Sequence, residues 1–426
     1  MIFENSSAFA LKLDQEDELK DFRNRFFIPT KDGKAVIYFN GNSLGLQPKT
    51  AEKYINQELK DWAELAGQGH FKAKNPWVSY HKLLQKPLAD LTGASENEVT
   101  AMNSLTTNLH LLMVSFYRPD KKKYKIIMEN GAFSSDQYAV ETQVKFHGFD
   151  PQEAIIELAP NKDKNLLATE EIIEAIESNK EEVALILLGG VNFYTGQAFD
   201  LEKISAAGHK AGAIVGFDLA HAIGNIKLEL HKWDIDFAVW CSYKYLNSGP
   251  GGVGGAFVHE KFAKDNSMPR FGGWWGYLEE ERFKMEKGFK PMEGVAGWQL
   301  SNVPIISLAV QRASLDIFEE AGMDNILQKG KQLTGYLEFL LKQTQDVSPC
   351  FDIITPSDPS QRGCQLSLYF KKNAEEIYQR LIEHGVSVDM RRPNVIRVTP
   401  VPLYNTFQEV FHFSKRFDSI IKSLSF

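Results

Sequence analysis

Five short apolar runs, separated by stretches with helical spacing, restrict this chain to an α/β fold. They are KIIM at 125–128, AIIEL at 154–158, VALILL at 183–188, AIVGF at 213–217 and FAVWC at 237–241. Near-continuous apolarity over four to six residues marks strands covered on both faces, the condition of a parallel sheet. The stretches 134–146, 169–178 and 200–211 place apolar residues at helical spacing and supply the connections, which are expected to be right-handed crossovers. The predicted large domain is therefore a mostly parallel sheet flanked by helices.

After Asn302 the texture changes. Residues 305–345 read as helical. Strand-like stretches at 364–370 and 395–399 flank a helix near 373–384, and a last helix starts near 405. This predicts a smaller α+β domain, and 426 residues are enough for two cores. The amphipathic segment 14–25 is expected to pack on that domain, because the chain enters the large one only after VIYFNGNSLG at 36–45. The expected division is 1–40, 41–304 and 305–426.

A formal net charge of −7 argues against a nucleic-acid partner. The one basic run, Lys121–Lys123, follows Pro119 and Asp120 in a turn-like context and reads as a solvated loop. The N-terminus lacks the basic start and apolar core of a signal peptide, and no apolar stretch is long enough to span a membrane. Cys241, Cys350 and Cys364 are too few and too scattered for a disulfide framework or a zinc site. We expect a soluble cytoplasmic protein with reduced thiols and no metal.

Open α/β sheets bind ligands outside the carboxyl ends of their strands, and the notable polar residues fall there. Asp218 directly follows AIVGF, and Lys244 follows FAVWC within SYKYLN. Alone, Asp218 reads as a helix cap and Lys244 as a solvent-exposed side chain. Together they match the needs of pyridoxal 5′-phosphate (PLP): an amine to hold its aldehyde and a carboxylate to keep its pyridine nitrogen protonated. The glycines from 249 to 255 suggest close backbone packing, although a tight turn explains them equally. Ser104, Thr106, Thr107 and Asn108 head an apolar-periodic helix, a place where hydroxyls and free amides can meet a phosphate or simply cap the helix.

The motifs GNSLGLQP, NSLTTNLHLL, AFSSDQYA, YTGQ, GFDLAHAIGN, WCSYKYLN, RFGGWWG and IRVTPVPLYN resemble those of kynureninases over nearly the whole chain. These are PLP enzymes of the aminotransferase-like fold (fold type I). The resemblance implies that Lys244 carries the cofactor, that Asp218 faces its pyridine nitrogen and that His221 lies near the ring. It implies that Leu105 and Thr106 contact the phosphate, that Phe133 stacks on the ring and that Ser134, Ser135 and Asp136 share the cofactor shell. Tyr243 and Trp274 complete the phosphate site. The positions of Trp274 and Asn302 come from a neighbouring subunit in this family, which implies a homodimer. Without the resemblance, Phe133 and Trp274 read as core residues, as Trp275 does.

Arg397 lies inside the apolar run VIRVTP, where an unpaired guanidinium is costly, and is the candidate for gripping a substrate α-carboxylate. Ser43, His70 and Asn302 are implied at the aromatic end of the substrate. Gly189 stands where relatives carry a serine. The implied reaction is hydrolysis of L-kynurenine, or its 3-hydroxy derivative, to anthranilate or 3-hydroxyanthranilate and L-alanine. Lys244 would move the Cα proton and Tyr243 a proton at the side-chain carbonyl. Cysteine desulfurase or selenocysteine lyase, a small-amino-acid aminotransferase, and a cofactor-retaining binding protein are the competing readings.

Overall fold

The computed structural model describes residues 2–160 and 166–424. Its large sheet has seven strands, in the spatial order Val99–Ala101, Gly255–Val258, Phe237–Trp240, Ile214–Asp218, Val183–Gly189, Lys125–Glu129 and Ile155–Leu158. Gly255–Val258 runs antiparallel to both neighbours, and the last five strands pair in parallel. All five apolar runs read from the sequence are strands of this sheet.

Both faces are covered, which is why the runs show little alternation. Ile126, Met128, Leu185, Leu187, Phe237 and Val239 pack with Leu109, Phe116 and Val140, from the helices Leu105–Phe116 and Ser134–Phe146. Their sequence neighbours Ile127, Ile186, Leu188, Phe217 and Ala238 pack with Ile172 and Ile204 on the other face. The strand period of two thus sends successive apolar residues into two different cores.

A second, four-stranded antiparallel sheet is ordered Phe351–Ile353, Leu366–Phe370, Val395–Val398, Asp389–Arg391. The helices Met323–Val347, Ala374–Glu383 and Phe407–Ser423 contribute Leu337, Ile377 and Phe413 to its core. Ile37–Tyr38 pairs in parallel with Val386–Ser387.

Two stretches take a more detailed form than their spacing shows. The amphipathic segment 14–25 is only partly helical. A helix spans Ser7–Glu16, with the Ser6 hydroxyl accepting from Phe9 N at 3.2 Å, and Lys20–Arg25 forms only 3-10 turns. Asp17 accepts from Leu19 N at 2.9 Å, offering the backbone an alternative to helix. The stretch 305–345 is two helices, Ile305–Ala321 and Met323–Val347, divided at Gly322, whose φ of +73° favours glycine.

The N-terminal helix is tied down by polar contacts. Asp14 accepts from Phe407 N at 2.7 Å and Gln408 N at 3.0 Å, meeting free amides at the start of the last helix. Asp17 pairs with Lys329 at 2.7 Å, with side chains 6% and 5% exposed. Removing one partner leaves a buried charge, so Asp17→Ala should destabilise the protein by about 3 kcal/mol in urea unfolding. The double replacement Asp17→Leu with Lys329→Met should recover most of that loss.

Candidate active site

A cleft open to solvent lies at the carboxyl ends of the parallel strands. Lys244 reaches it from the loop after Phe237–Trp240, and its Nζ lies 2.9 Å from His221 Nε2 and 5.7 Å from the centroid of Phe133. The loop is held from behind: Gly45 N donates to Tyr243 O at 2.8 Å, and a Cβ on Gly45 would stand 2.3 Å from Lys244 O. Only glycine permits that approach. The glycines after 249 serve a similar end at Gly255, where a Cβ would enter the Trp240 ring, so part of the bulk they pack against is the protein itself.

Asp218 ends its strand at the buried floor of the cleft and accepts from Ala220 N at 2.7 Å. Asp136, in the first turn of Ser134–Phe146, meets it there. Burial raises both carboxyls above the usual range, and the Asp218 charge raises Asp136 further. Asp136 therefore holds the shared proton and Asp218 accepts it, aided by Ala220 N–H and by Lys244. His221 is pushed well below the usual histidine value, by burial first and then by the charges of Lys244, Arg397 and Arg391, so it is a neutral ring at neutral pH.

At the other end, Thr106 Oγ1 and Ser135 Oγ lie 2.6 Å apart, each in the first turn of a helix whose leading amides have no intrahelical partner. Leu105 and Phe133 complete this wall. Phe133 is 43% exposed at the mouth of the cleft rather than part of the core. Tyr243 lies against Cys241, and burial raises both groups, so Cys241 is a protonated thiol rather than the thiolate a desulfurase needs. Cys364 is buried, with a pKa pushed up to about 12, and does not line the cleft.

The cleft suits PLP on its own evidence. Among the described residues, His221 Nδ1 and Asp136 Oδ1 are buried without a hydrogen-bond partner, an amine and a buried carboxylate line the same cleft, and two hydroxyls meet at helix N-termini. Lys244, Asp218, His221 and Asp136 would hold its ring end, Thr106 and Ser135 its phosphate.

Glu129 was missed by the sequence reading. It ends the strand Lys125–Glu129, lines the cleft, and accepts from Gly189 N at 3.0 Å. A Cβ on Gly189 would stand 3.0 Å from Glu129 Oε1, so this carboxyl crowds any side chain at that position. The charged residue closing an apolar run was a usable signal, by the same reasoning that found Asp218. Burial lifts its pKa from 4.5 to about 7. A raised carboxyl lets the unfolded chain ionise first, so stability falls as pH rises from 4.5 to 7 and levels off above. Relative to Glu129→Gln, the wild type should lose at most about 3 kcal/mol over that window, read by unfolding at several pH values.

Other sequence candidates lie outside this cleft within the single chain. Ser134 is exposed at the start of its helix. Trp274 is 46% exposed, its ring against Trp275 and Phe283, while Trp275 is buried. Asn302 is exposed, and His70 packs half-buried on Trp77. Ser43 is half-buried in the loop that precedes Gly45. Arg397 is fully buried in Val395–Val398 and donates to Phe193 O at 2.6 Å; Phe193 itself lines the cleft. Glu98, His231 and His259 come together elsewhere, but hydrogen bonds already engage them. Glu98 accepts from Ser95 N, Glu260 N and His231 Nδ1, and His259 Nδ1 accepts from Lys261 N. That cluster reads as a hydrogen-bonded brace. Among the described residues, no helix is long and apolar enough to cross a membrane.

Solved structures share the fold. A cysteine desulfurase from Escherichia coli superposes with a TM-score of 0.77 at 18% identity, covering 96% of this chain and 99% of that one. A C-DES variant with glycine covalently linked to its PLP cofactor gives 0.74 at 19%, covering 90% and 96%. At such identities the likeness speaks for the fold alone: aminotransferase-like, fold type I. Sequence relatives are much nearer. A kynureninase of Flavobacterium psychrophilum is 52% identical over 416 residues, 97% of this chain and 98% of the relative. The human kynureninase is 45% identical over 433 residues, covering 97% and 93%. The family model described as the kynureninase C-terminal domain matches residues 326–417. With its cleft built for PLP and its sequence aligned almost end to end with such relatives, the chain belongs to the kynureninase family.

Proposed function

We infer that this protein is a PLP-dependent hydrolase that cleaves the Cβ–Cγ bond of L-kynurenine, releasing anthranilate and L-alanine. The observation that carries the reading is Lys244, its amine held by His221 in a cleft floored by Asp218, in a chain with kynureninase relatives at about half identity. When bound, PLP supplies an electron sink next to the substrate Cα.

Lys244 Nζ anchors the cofactor, and then takes and returns the Cα proton. Asp218 holds the proton on the pyridine nitrogen. Neutral His221 keeps Lys244 at hand and offers Nδ1, and Phe133 covers the ring. Leu105, Thr106 and Ser135 bind the phosphate end with Tyr243, and Ser134 belongs to the surrounding cofactor shell. The Tyr243 hydroxyl, kept protonated by burial, serves as the acid at the side-chain carbonyl when water adds there. Arg397 grips the α-carboxylate. Buried Arg397 Nη2 has no aligned hydrogen-bond acceptor among the described residues, which supports that role.

Ser43, His70 and Asn302 recognise the aromatic end, and Trp274 and Asn302 act on the site of a partner subunit in a homodimer. Support for the dimer comes from exposed aromatic surface: Phe71, Phe283 and Trp274 form a chain of ring contacts of 5.9 and 5.7 Å while 59%, 56% and 46% exposed. The reading divides the chain into 1–40, 41–304 and 305–426, with the cofactor in the middle part. It also places the protein in the cytoplasm, in tryptophan breakdown or pyridine nucleotide synthesis; the three free cysteines accord with a reducing compartment.

The test is direct. Protein loaded with PLP is mixed with kynurenine, and separately with 3-hydroxykynurenine, while the fluorescence of the aromatic product and the release of alanine are followed. Both products should appear in equal amounts from at least one substrate. Absence of both products with both substrates would overturn the reading.

A further inference from the structure

Arg397 is not alone in the interior. Its Nε donates to Asp389 Oδ1 at 3.1 Å, and its Nη2 lies 2.9 Å from Oδ2 without hydrogen-bond alignment. The same carboxylate takes a second guanidinium. Arg391 Nε stands 3.1 Å from Asp389 Oδ1, and its Nη2 3.4 Å from Oδ2. The two arginines and the aspartate sit on neighbouring antiparallel strands, with Asp389 directly opposite Arg397 in register.

Exposure rises along this row, from 0% at the Arg397 side chain through 12% at Asp389 to 34% at Arg391. The row therefore runs from the interior toward solvent. It touches the cleft through Phe193, whose carbonyl accepts from Arg397 Nη1 and whose ring lies 5.6 Å from the Arg391 guanidinium. Phe193 in turn packs edge-on against Phe133, which faces Lys244. Two guanidinium groups share one carboxylate, which leaves one positive charge unbalanced beside the cleft. Among the described residues, buried Arg397 Nη2 and Arg391 Nε both lack an aligned hydrogen-bond acceptor. A buried donor without an acceptor is costly, and a single incoming carboxylate answers both the charge and the donors.

We propose that Asp389 is a positioning residue that holds Arg397 and Arg391 as a two-guanidinium receptor for the substrate α-carboxylate, with Arg391 as its outer member. Asp389 fixes the plane of Arg397 from the Nε side and Phe193 O takes one N–H of Nη1, so that the second N–H of Nη1 and an N–H of Nη2 remain for a two-pronged grip. Arg391 draws the carboxylate in from the mouth, and both charges reach as far as His221, whose pKa they lower. The proposal rests on the reading of Arg397 given above.

The experiment compares kynurenine with its carboxamide on PLP-loaded enzyme, measuring KM and kcat for the wild type and for Asp389→Asn, Arg391→Gln and Arg397→Gln. Dissociation constants for L-alanine and L-alaninamide, read from the visible absorption of the loaded enzyme, give a binding measure separate from turnover. Asp389→Asn should raise KM for kynurenine and the alanine dissociation constant by roughly ten- to a hundredfold, with a much smaller effect on kcat and on both amides. Arg391→Gln should raise the same two constants by up to roughly fivefold, again sparing the amides. If Asp389→Asn changes acid and amide alike, or neither, the proposal is overturned. Should that variant fail to fold, Arg391→Gln decides in the same way. If Arg397→Gln does not separate acid from amide, the assignment of Arg397 itself falls, and this proposal with it; if only Arg397→Gln separates them, Arg397 stands and the proposal alone fails.

Discussion

Lys244→Ala should fold as the wild type does, give an unchanged far-ultraviolet dichroism spectrum, and lose roughly 10⁴-fold or more in kcat with kynurenine. Two functions vanish with one amine: the covalent hold on the cofactor and the group that moves the Cα proton. No neighbour replaces it, since the nearest base, His221, is fixed 2.9 Å from the missing nitrogen and is itself strongly biased to the neutral form by burial. The fold is expected to tolerate the change because Lys244 sits in a loop secured by backbone contacts, Gly45 N to Tyr243 O and Asn247 N to Lys244 O, that alanine retains. The measurement is turnover followed by anthranilate fluorescence, with dialysis and absorbance reporting cofactor retention. Activity within tenfold of wild type would contradict the role given to this lysine.

Asp218→Asn should leave the cleft nearly the same shape and still cost roughly 10²–10³-fold in kcat. An amide cannot hold a proton on the pyridine nitrogen, so the electron sink weakens at the step where charge develops. The environment sharpens the effect. Asp218 is buried beside Asp136, and of these two carboxyls burial and mutual repulsion permit only one to ionise readily. Asp136 does not take over, because burial, the largest cause of its raised carboxyl, remains when the Asp218 charge is removed. The signature is a lowered kcat with little change in KM and an altered pH dependence of the visible band of the loaded enzyme. An unaltered pH dependence together with full turnover would show that the carboxylate does not face the ring.

The sequence carried the architecture where one physical signal acted alone. Runs such as VALILL and AIVGF had to be strands because nothing else buries six or five apolar residues on two faces, and the large sheet contains them. It was less legible where local chemistry competed with periodicity. Apolar spacing marked 14–25 as amphipathic without fixing its form; the Asp17 side chain takes a backbone amide, and the regular helix, Ser7–Glu16, ends there. Spacing across 305–345 was continuous through Gly322, and only the backbone conformation there reveals the break.

For the site, residues at the carboxyl ends of strands were readable, hence Asp218 and Lys244. Glu129 obeyed the same rule and was passed over, because a glutamate after KIIM also passes as the solvated end of a strand. The pairing of Asp389 with Arg397 was beyond reach, since it depends on the register of two antiparallel strands, which periodicity does not set. Trp274 and Asn302 mark a further limit: both are exposed in the single chain, and only the dimer proposed above would give them a place in a site.

The most direct test of the account is to treat the PLP-loaded protein with borohydride, digest it and map the peptide that carries the reduced cofactor. The account predicts one labelled peptide, modified at Lys244. A label on another lysine, or no label in protein that binds PLP, would contradict it.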